Sequence, residues 1–195
     1  MTILRAHRWA TNGHMIADVA QLGYLDGRVL DVTYGKGVFW KVWQPDILVG
    51  CDLDPTKARD LCCDFCHLPF ADGSWDAVVY DPPYQCNGTP GWNGSGVWTR
   101  YGVVTMWGND RANLMERGAR EGARVAKNFF LVKCMDQVVG GRLWWQTDQM
   151  TQVVTAEGFT KVDRFDFLRP PRPSDGRRQR HARANYSTLL VFQRR

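Results

Sequence analysis

No apolar run in this 195-residue chain approaches the stretch of about 20 residues that spans a bilayer. Its opening residues, Met1 to Arg8, contain no signal-peptide core, so a soluble, cytoplasmic protein is expected. Disulfide-scale cysteine density is also missing. Cys51, Cys62, Cys63, Cys66, Cys86 and Cys134 are scattered through a chain that is 44% apolar, long enough to build a core without covalent staples, so reduced thiols are expected. Cys63-Asp64-Phe65-Cys66-His67 reads as half of a zinc site, but no second Cys/His pair stands at useful spacing, and no metal is expected. The dinucleotide fingerprint lacks its third glycine, because Trp40 stands where that glycine belongs after Gly35 and Gly37. There is no internal repeat, no low-complexity tail and no room for a second full domain.

The charge present is unevenly spread. The formal net charge is +5, and the segment from Arg169 to Arg183 carries six arginines against the single acid Asp175. Arginines gathered in a Pro-containing loop at about 169–185 suit phosphate contact, so Arg169, Arg172, Arg177, Arg178, Arg180 and Arg183 are candidate nucleic-acid contacts.

Hydrophobic patterning predicts a helix over about Gly13–Gly23, with Ile16, Val19, Ala20 and Leu22 as its apolar stripe. Strands are expected at Arg28–Thr33 and Ile47–Cys51, a short helix after Pro55, a third strand or turn around Asp64, and a fourth strand at Asp76–Tyr80. Gln85–Gly108 is rich in Gly, Trp and Asn without a usable period and reads as a long substrate loop. Asn109 or Asp110 is expected to cap a helix lined by Ala112, Met115, Ala119, Ala123 and Ala126, followed by a strand at Phe129–Val132. Leu143, Thr147, Met150 and Val154 mark another helix, closed by Glu157-Gly158; strands at Phe159–Leu168 and Tyr186–Phe192 then form an antiparallel pair. The fold class is α/β, with a mainly parallel sheet covered by helices on both faces, in a single domain spanning 1–195.

Three constellations carry chemistry. Asp31-Val32-Thr33-Tyr34-Gly35-Lys36-Gly37 places an acid at a strand end and two glycines in a turn before an expected helix, where backbone can approach a ligand. Asp52 stands at the next strand end, about 20 residues on, the usual spacing for an acid that binds ribose hydroxyls. Asp54 is the expected helix cap.

Asp81-Pro82-Pro83-Tyr84 directly follows the fourth strand. Consecutive prolines fix φ and remove two donors, making a rigid exit from a strand. That rigidity also suits a clamp for an aromatic amine, a poor nucleophile because its lone pair is delocalised. Asp81 and the Pro82 carbonyl would each accept one N–H, the tyrosine ring would offer a stacking face, and catalysis would come mostly from orientation.

The order of glycine turn, ribose acid, a third acid at Asp64 and D-P-P-Y after the fourth strand resembles the class I S-adenosylmethionine-dependent amino-methyltransferases that act on N6 of adenine or N4 of cytosine. The resemblance covers Val29–Tyr84 well, including Leu68-Pro-Phe-Ala-Asp-Gly-Ser-Trp-Asp76, and Ser187–Phe192 more loosely. It implies a Rossmann-like seven-stranded sheet with an antiparallel closing strand. The implied cofactor is S-adenosylmethionine, with S-adenosylhomocysteine as product. Asp31, Gly35 and Gly37, with Thr33 and Tyr34 in the same turn, would border its methionine part; Asp52 would hold the ribose, Asp64 and Phe65 would contact the adenine ring, and Leu53 is a further candidate cofactor contact. Asp81, Pro82, Pro83 and Tyr84 would act on a flipped base, since chemistry inside a duplex requires flipping.

Val32 and Thr33 depart from the D-P-F-x-G-x-G turn of many DNA enzymes in this family, replacing its Pro and Phe. The chain also lacks a distinct target-recognition domain. Recognition would then fall to the 85–108 loop, where Trp92, Trp98, Arg100, Tyr101 and Trp107 could stack on bases or pack on the core, to the arginine loop, or to a partner protein. The leading expectation is N6-adenine methylation in DNA. The alternatives are N4-cytosine in DNA, adenine N6 or guanine N2 in RNA, and a non-catalytic nucleic-acid-binding module of the same fold.

Overall fold

The computed structural model describes residues 9–84, 108–139, 142–169, 181 and 184–195. The 85–107 segment and most of the arginine loop lie outside this set, and with them Trp92, Trp98, Arg100, Arg172, Arg177, Arg178, Arg180 and Arg183.

Nine strands and three α-helices appear among the described residues: α1 (Asn12–Gln21), β1 (Arg28–Asp31), β2 (Ile47–Asp52), β3 (Leu61–Cys62), β4 (Trp75–Tyr80), α2 (Gly108–Val125), β5 (Ala126–Cys134), β6 (Gln137–Val139), β7 (Arg142–Trp144), α3 (Gln146–Ala156), β8 (Phe159–Leu168) and β9 (Tyr186–Arg194). Seven strands form one sheet in the order β3-β2-β1-β4-β5-β9-β8. The first five run parallel, and β9 inserts antiparallel between β5 and β8. The expected Rossmann-like sheet with its antiparallel closing strand is therefore present.

Neighbouring residues on the central strands face opposite layers. Leu30, Val78, Tyr80, Phe130 and Val132 belong to a core cluster shared with α2 and α3. Val29, Ala77, Val79, Leu131 and Val191 belong to a second cluster under α1 and the aromatic residues Phe39 and Trp40. Strands buried on both faces read as unbroken apolar runs, the pattern that marks them in the sequence. Thr11 caps α1, accepting the amide N–H of His14, and the helix buries Met15, Ile16 and Val19. It ends two residues before Gly23, and Leu22 is 44% exposed instead of completing the stripe.

Two expected helices are absent. After Gly37 the chain makes only a 3-10 turn, Val38–Trp40, because few residues separate the glycine turn from β2 and they are spent on a buried aromatic plug. After Pro55 there is a single turn, in which the Asp54 carboxylate accepts from Thr56 and pairs with Lys57 before β3 begins. Helix α2 reaches back to Gly108, so Asn109 and Asp110 lie within it, and Ala126 already belongs to β5. Leu143 sits not in α3 but in the β6-β7 hairpin that precedes it, an element the sequence pattern does not reveal. Close packing of α2 on the sheet depends on glycine: a Cβ at Gly122 would meet the Phe130 ring at 2.7 Å.

Candidate active site

The C-terminal ends of β1, β2 and β4 lie side by side in the parallel sheet, and the first two sequence constellations and the D-P-P-Y segment leave from these ends. In open α/β sheets this edge is where ligands bind.

Asp31, the last residue of β1, is only 3% exposed. Its carboxylate accepts the Thr33 amide at 2.9 Å and the Trp40 indole N–H at 2.7 Å. Burial pushes the carboxyl up to about 7; the bonds from Trp40 and Thr33 pull it back, and the Asp81 charge adds to the rise. Gly35 and Gly37 follow with φ of 56° and 61°, the left-handed region that disfavours side chains. A Cβ on Gly37 would also strike the Tyr34 hydroxyl at 2.6 Å.

Asp52 ties this turn to β2. Its Oδ2 accepts the Gly35 amide at 2.9 Å and its Oδ1 the Asp54 amide at 2.9 Å, while the Tyr34 amide donates to the Cys51 carbonyl at 2.8 Å. A carboxylate has about four acceptor sites, so both oxygens retain capacity for ligand hydroxyls. Leu53 beside it is 67% exposed. Asp54 is held near a pKa of about 2 by hydrogen bonds from Lys57 and Thr56 and closes the local turn.

Further along the edge, Asp64 accepts the Cys66 amide at 2.8 Å and sits 3.3 Å from His67 Nδ1. The Phe65 ring packs edge-on against Tyr80, with centroids 5.3 Å apart. The ring is partly buried against the core, and the Asp64 carboxylate beside it is exposed to solvent. Among the described residues no group of three or more His, Cys, Asp and Glu side chains is arranged to hold a metal.

The D-P-P-Y segment is pinned from several sides. The Asp81 amide donates to Thr33 Oγ1 at 2.7 Å, joining it to the glycine turn. The Tyr84 amide donates to the Pro82 carbonyl at 2.7 Å, a turn of the γ type, which leaves that oxygen a second lone pair. Arg111 Nη1 donates to the Pro83 carbonyl at 3.2 Å. The Tyr84 carbonyl accepts from Gln137 at 2.7 Å and from Gln146 at 2.8 Å, so the hairpin and α3 both hold the segment. Tyr84 is 7% exposed, and its hydroxyl accepts from Arg169 Nη2 at 3.0 Å. Arg169 is thus the one member of the arginine loop that the described residues bring into the site.

Asp81 differs from the other acids in its bonding. Its Oδ1 is sealed from solvent and accepts no hydrogen bond among the described residues. Burial pushes its carboxyl up, and the nearby positive charges of Lys133 and Arg169 pull it back. A buried acceptor left open in a rigid frame is costly unless a ligand donor fills it.

Sequence reading did not find Gln137, Gln146, Arg111 or Lys133. Lys133 carried a signal: a lysine inside the apolar run Phe129-Phe-Leu-Val-Lys-Cys134, on the strand next to the one leading into D-P-P-Y.

No known family profile matches the chain, and no curated protein matches it. Solved structures do share its fold. A magnesium protoporphyrin IX methyltransferase from Synechocystis PCC 6803 with bound S-adenosylhomocysteine is 11% identical, with a TM-score of 0.59, over 94% of this chain and 81% of that one. A possible histamine N-methyltransferase from Thermotoga maritima is 14% identical, with a TM-score of 0.57, over 94% of this chain and 89% of that one. A [4+2]-cyclase is 15% identical, with a TM-score of 0.55, over 98% of this chain and 88% of that one. At such identities the likeness establishes the fold alone.

Proposed function

We propose that this protein is an S-adenosylmethionine-dependent methyltransferase acting on the exocyclic amino group of a nucleic-acid base, most directly N6 of adenine in DNA. One observation carries the reading: Asp81 Oδ1, a buried acceptor that no hydrogen bond fills among the described residues, at the start of a rigid Pro-Pro-Tyr segment directly beside the glycine turn. A fold shared with a cyclase does not select methyl transfer; this acceptor favours a substrate that donates an N–H.

The residues present fit the cofactor. Two left-handed glycines open the backbone at the β1 edge, Asp31 stands behind them, and Asp52 retains acceptor capacity for ribose hydroxyls. Asp64 and Phe65 would border the adenine end, with Leu53 as a further cofactor contact. When bound, S-adenosylmethionine supplies an electrophilic methyl group.

Asp81 and the open lone pair of the Pro82 carbonyl would each accept one N–H of the target amine, concentrating electron density on nitrogen and aiming its lone pair. On accepting the methyl group the amine would become acidic and need a proton acceptor. Asp81 then takes the departing proton, or passes it to water. Tyr84 would stack on the base once its ring is uncovered, and Arg169, bonded to the Tyr84 hydroxyl, would lie between that ring and the phosphate contacts of the arginine loop.

The test is transfer of labelled methyl from S-adenosylmethionine to unmethylated duplex DNA and, in parallel, to total RNA, followed by nucleoside mass analysis. N6-methyladenine from DNA is the expected product. A product in RNA alone would keep the amine chemistry and replace the substrate; methylation of neither would overturn the reading.

A further inference from the structure

Lys133 is a lysine with 0% exposure near the end of a central strand, on the same face as Leu131. The parallel register pairs Val79 with Leu131 and Tyr80 with Val132, and its next step brings Asp81 beside Lys133. Lys133 Nζ donates to Asn12 Oδ1 at 2.8 Å, at the first residue of α1. It also lies 5.2 Å from the Phe39 ring centre and 5.4 Å from that of Phe167. Two aromatic faces and one amide oxygen therefore surround the ammonium group, and such rings favour a cation.

The fold does not need a charge here. An apolar side chain fills the equivalent place at Leu131, whereas a buried ammonium carries a large desolvation cost unless a partner offsets it. The aromatic faces, Asn12 and the charge of the neighbouring Asp81 each offset part of that cost. Among the described residues, neither Asp81 oxygen is hydrogen-bonded to this lysine.

We propose that Lys133 is a positioning residue of the amine site: held by Asn12 between Phe39 and Phe167, it supplies the counter-charge for Asp81 from beneath without occupying the lone pairs that would receive the substrate amine. This rests on the amine-methylation reading. A direct hydrogen bond or bidentate ion pair would stabilise Asp81 as well, but it would compete with substrate for the same lone pairs. A cation placed one strand away, and bonded elsewhere, avoids that competition.

Other charges also face the pair. Asp31 on β1 opposes ionisation of Asp81, and Arg169 beyond β8 favours it; the Tyr84 hydroxyl and the Cys134 thiol are the remaining titratable groups nearby. Arg169 is already bonded to Tyr84. Lys133 is the neighbouring cation sealed within the sheet. Burial lowers it to about 8, and the Asp81 charge holds it up.

The test is reciprocal. With the full-length protein carrying labelled aspartate and lysine, NMR titration follows the Asp81 carboxyl in wild type and Lys133→Met, and the Lys133 ammonium in wild type and Asp81→Asn. Coupled charges shift each other by the same amount, so Lys133→Met is expected to raise the Asp81 midpoint by roughly 1 pH unit and Asp81→Asn to lower the Lys133 midpoint to match. The near-isosteric Asp81→Asn keeps the test open if Lys133→Met does not fold. In methyl transfer, Lys133→Met is expected to move the acid limb of the rate profile upward with S-adenosylmethionine affinity unchanged, and Lys133→Arg to restore part of it. Unshifted midpoints in folded variants would overturn the inference whatever base is methylated. Shifted midpoints without methylation of any base would leave the charge coupling standing and remove the functional reading.

Discussion

The Asp81 amide donates to the Thr33 hydroxyl at 2.7 Å, which binds the segment leaving β4 to the turn leaving β1. Thr33 also touches Asp31, its hydroxyl lying 3.4 Å from Oδ1. A single side chain therefore sets the spacing between the glycine turn and the proposed amine acceptor. The Thr33 hydroxyl links the two halves of the site.

Thr33→Val keeps the shape and removes that acceptor. Leaving the Asp81 amide unsatisfied costs about 1–3 kcal/mol. The thermal midpoint is expected to fall by several degrees, and methyl transfer to fall more than S-adenosylmethionine affinity does. Calorimetric unfolding together with single-turnover rates measures both, and an unchanged rate would remove Thr33 from the site.

Asp31 predicts a pH dependence of stability. Its folded pKa, about 7, lies above the unfolded carboxylate value of about 3.9. The folded state therefore binds the extra proton. That contribution is fully present below the unfolded value and is lost as pH rises through about 7. Asp31→Asn should flatten the fall of thermal midpoint with pH across this window; a slope equal to wild type would contradict the assignment.

Tyr84 separates ring from hydroxyl. Tyr84→Phe removes the hydroxyl, and with it the bond from Arg169, and is expected to change turnover less than threefold. Tyr84→Ala removes the stacking face, worth about 1–3 kcal/mol per base, and should raise KM for nucleic acid 10-fold or more. Equal KM values in the two variants would argue against stacking.

Neutralising Arg177, Arg178 and Arg180 together should weaken nucleic-acid binding and reduce its salt slope by roughly one for each phosphate that the loop then fails to neutralise. A slope unchanged from wild type would assign that loop to solvation.

Much of this was legible in the sequence, for identifiable reasons. The buried strands read as apolar runs ending in acids, so Asp31, Asp52 and Asp81 stand at the sheet edge as expected. The pair Phe159–Leu168 and Tyr186–Arg194 also follows its pattern closely. The connections failed where tertiary economy outweighed local propensity. A helix after Gly37 has no space once Phe39 and Trp40 are buried, and the turn after Pro55 ends when Asp60 accepts the Gly50 amide. Lys133 interrupts an apolar run that continues to Cys134, but a charged residue ordinarily ends a buried strand, and the pattern places that end at Val132. Its role depends on the neighbouring strand, Asn12 on α1 and two distant aromatic rings, none of which a local window can join.

The most direct measurement is a side-by-side comparison of S-adenosylmethionine Kd and single-turnover methyl transfer to duplex DNA for wild type and Asp81→Ala. The predicted result is a Kd within about threefold of wild type and transfer reduced roughly 100-fold or more, because Asp81 meets the amine and not the methyl donor. Equal transfer rates in the two proteins would contradict the account.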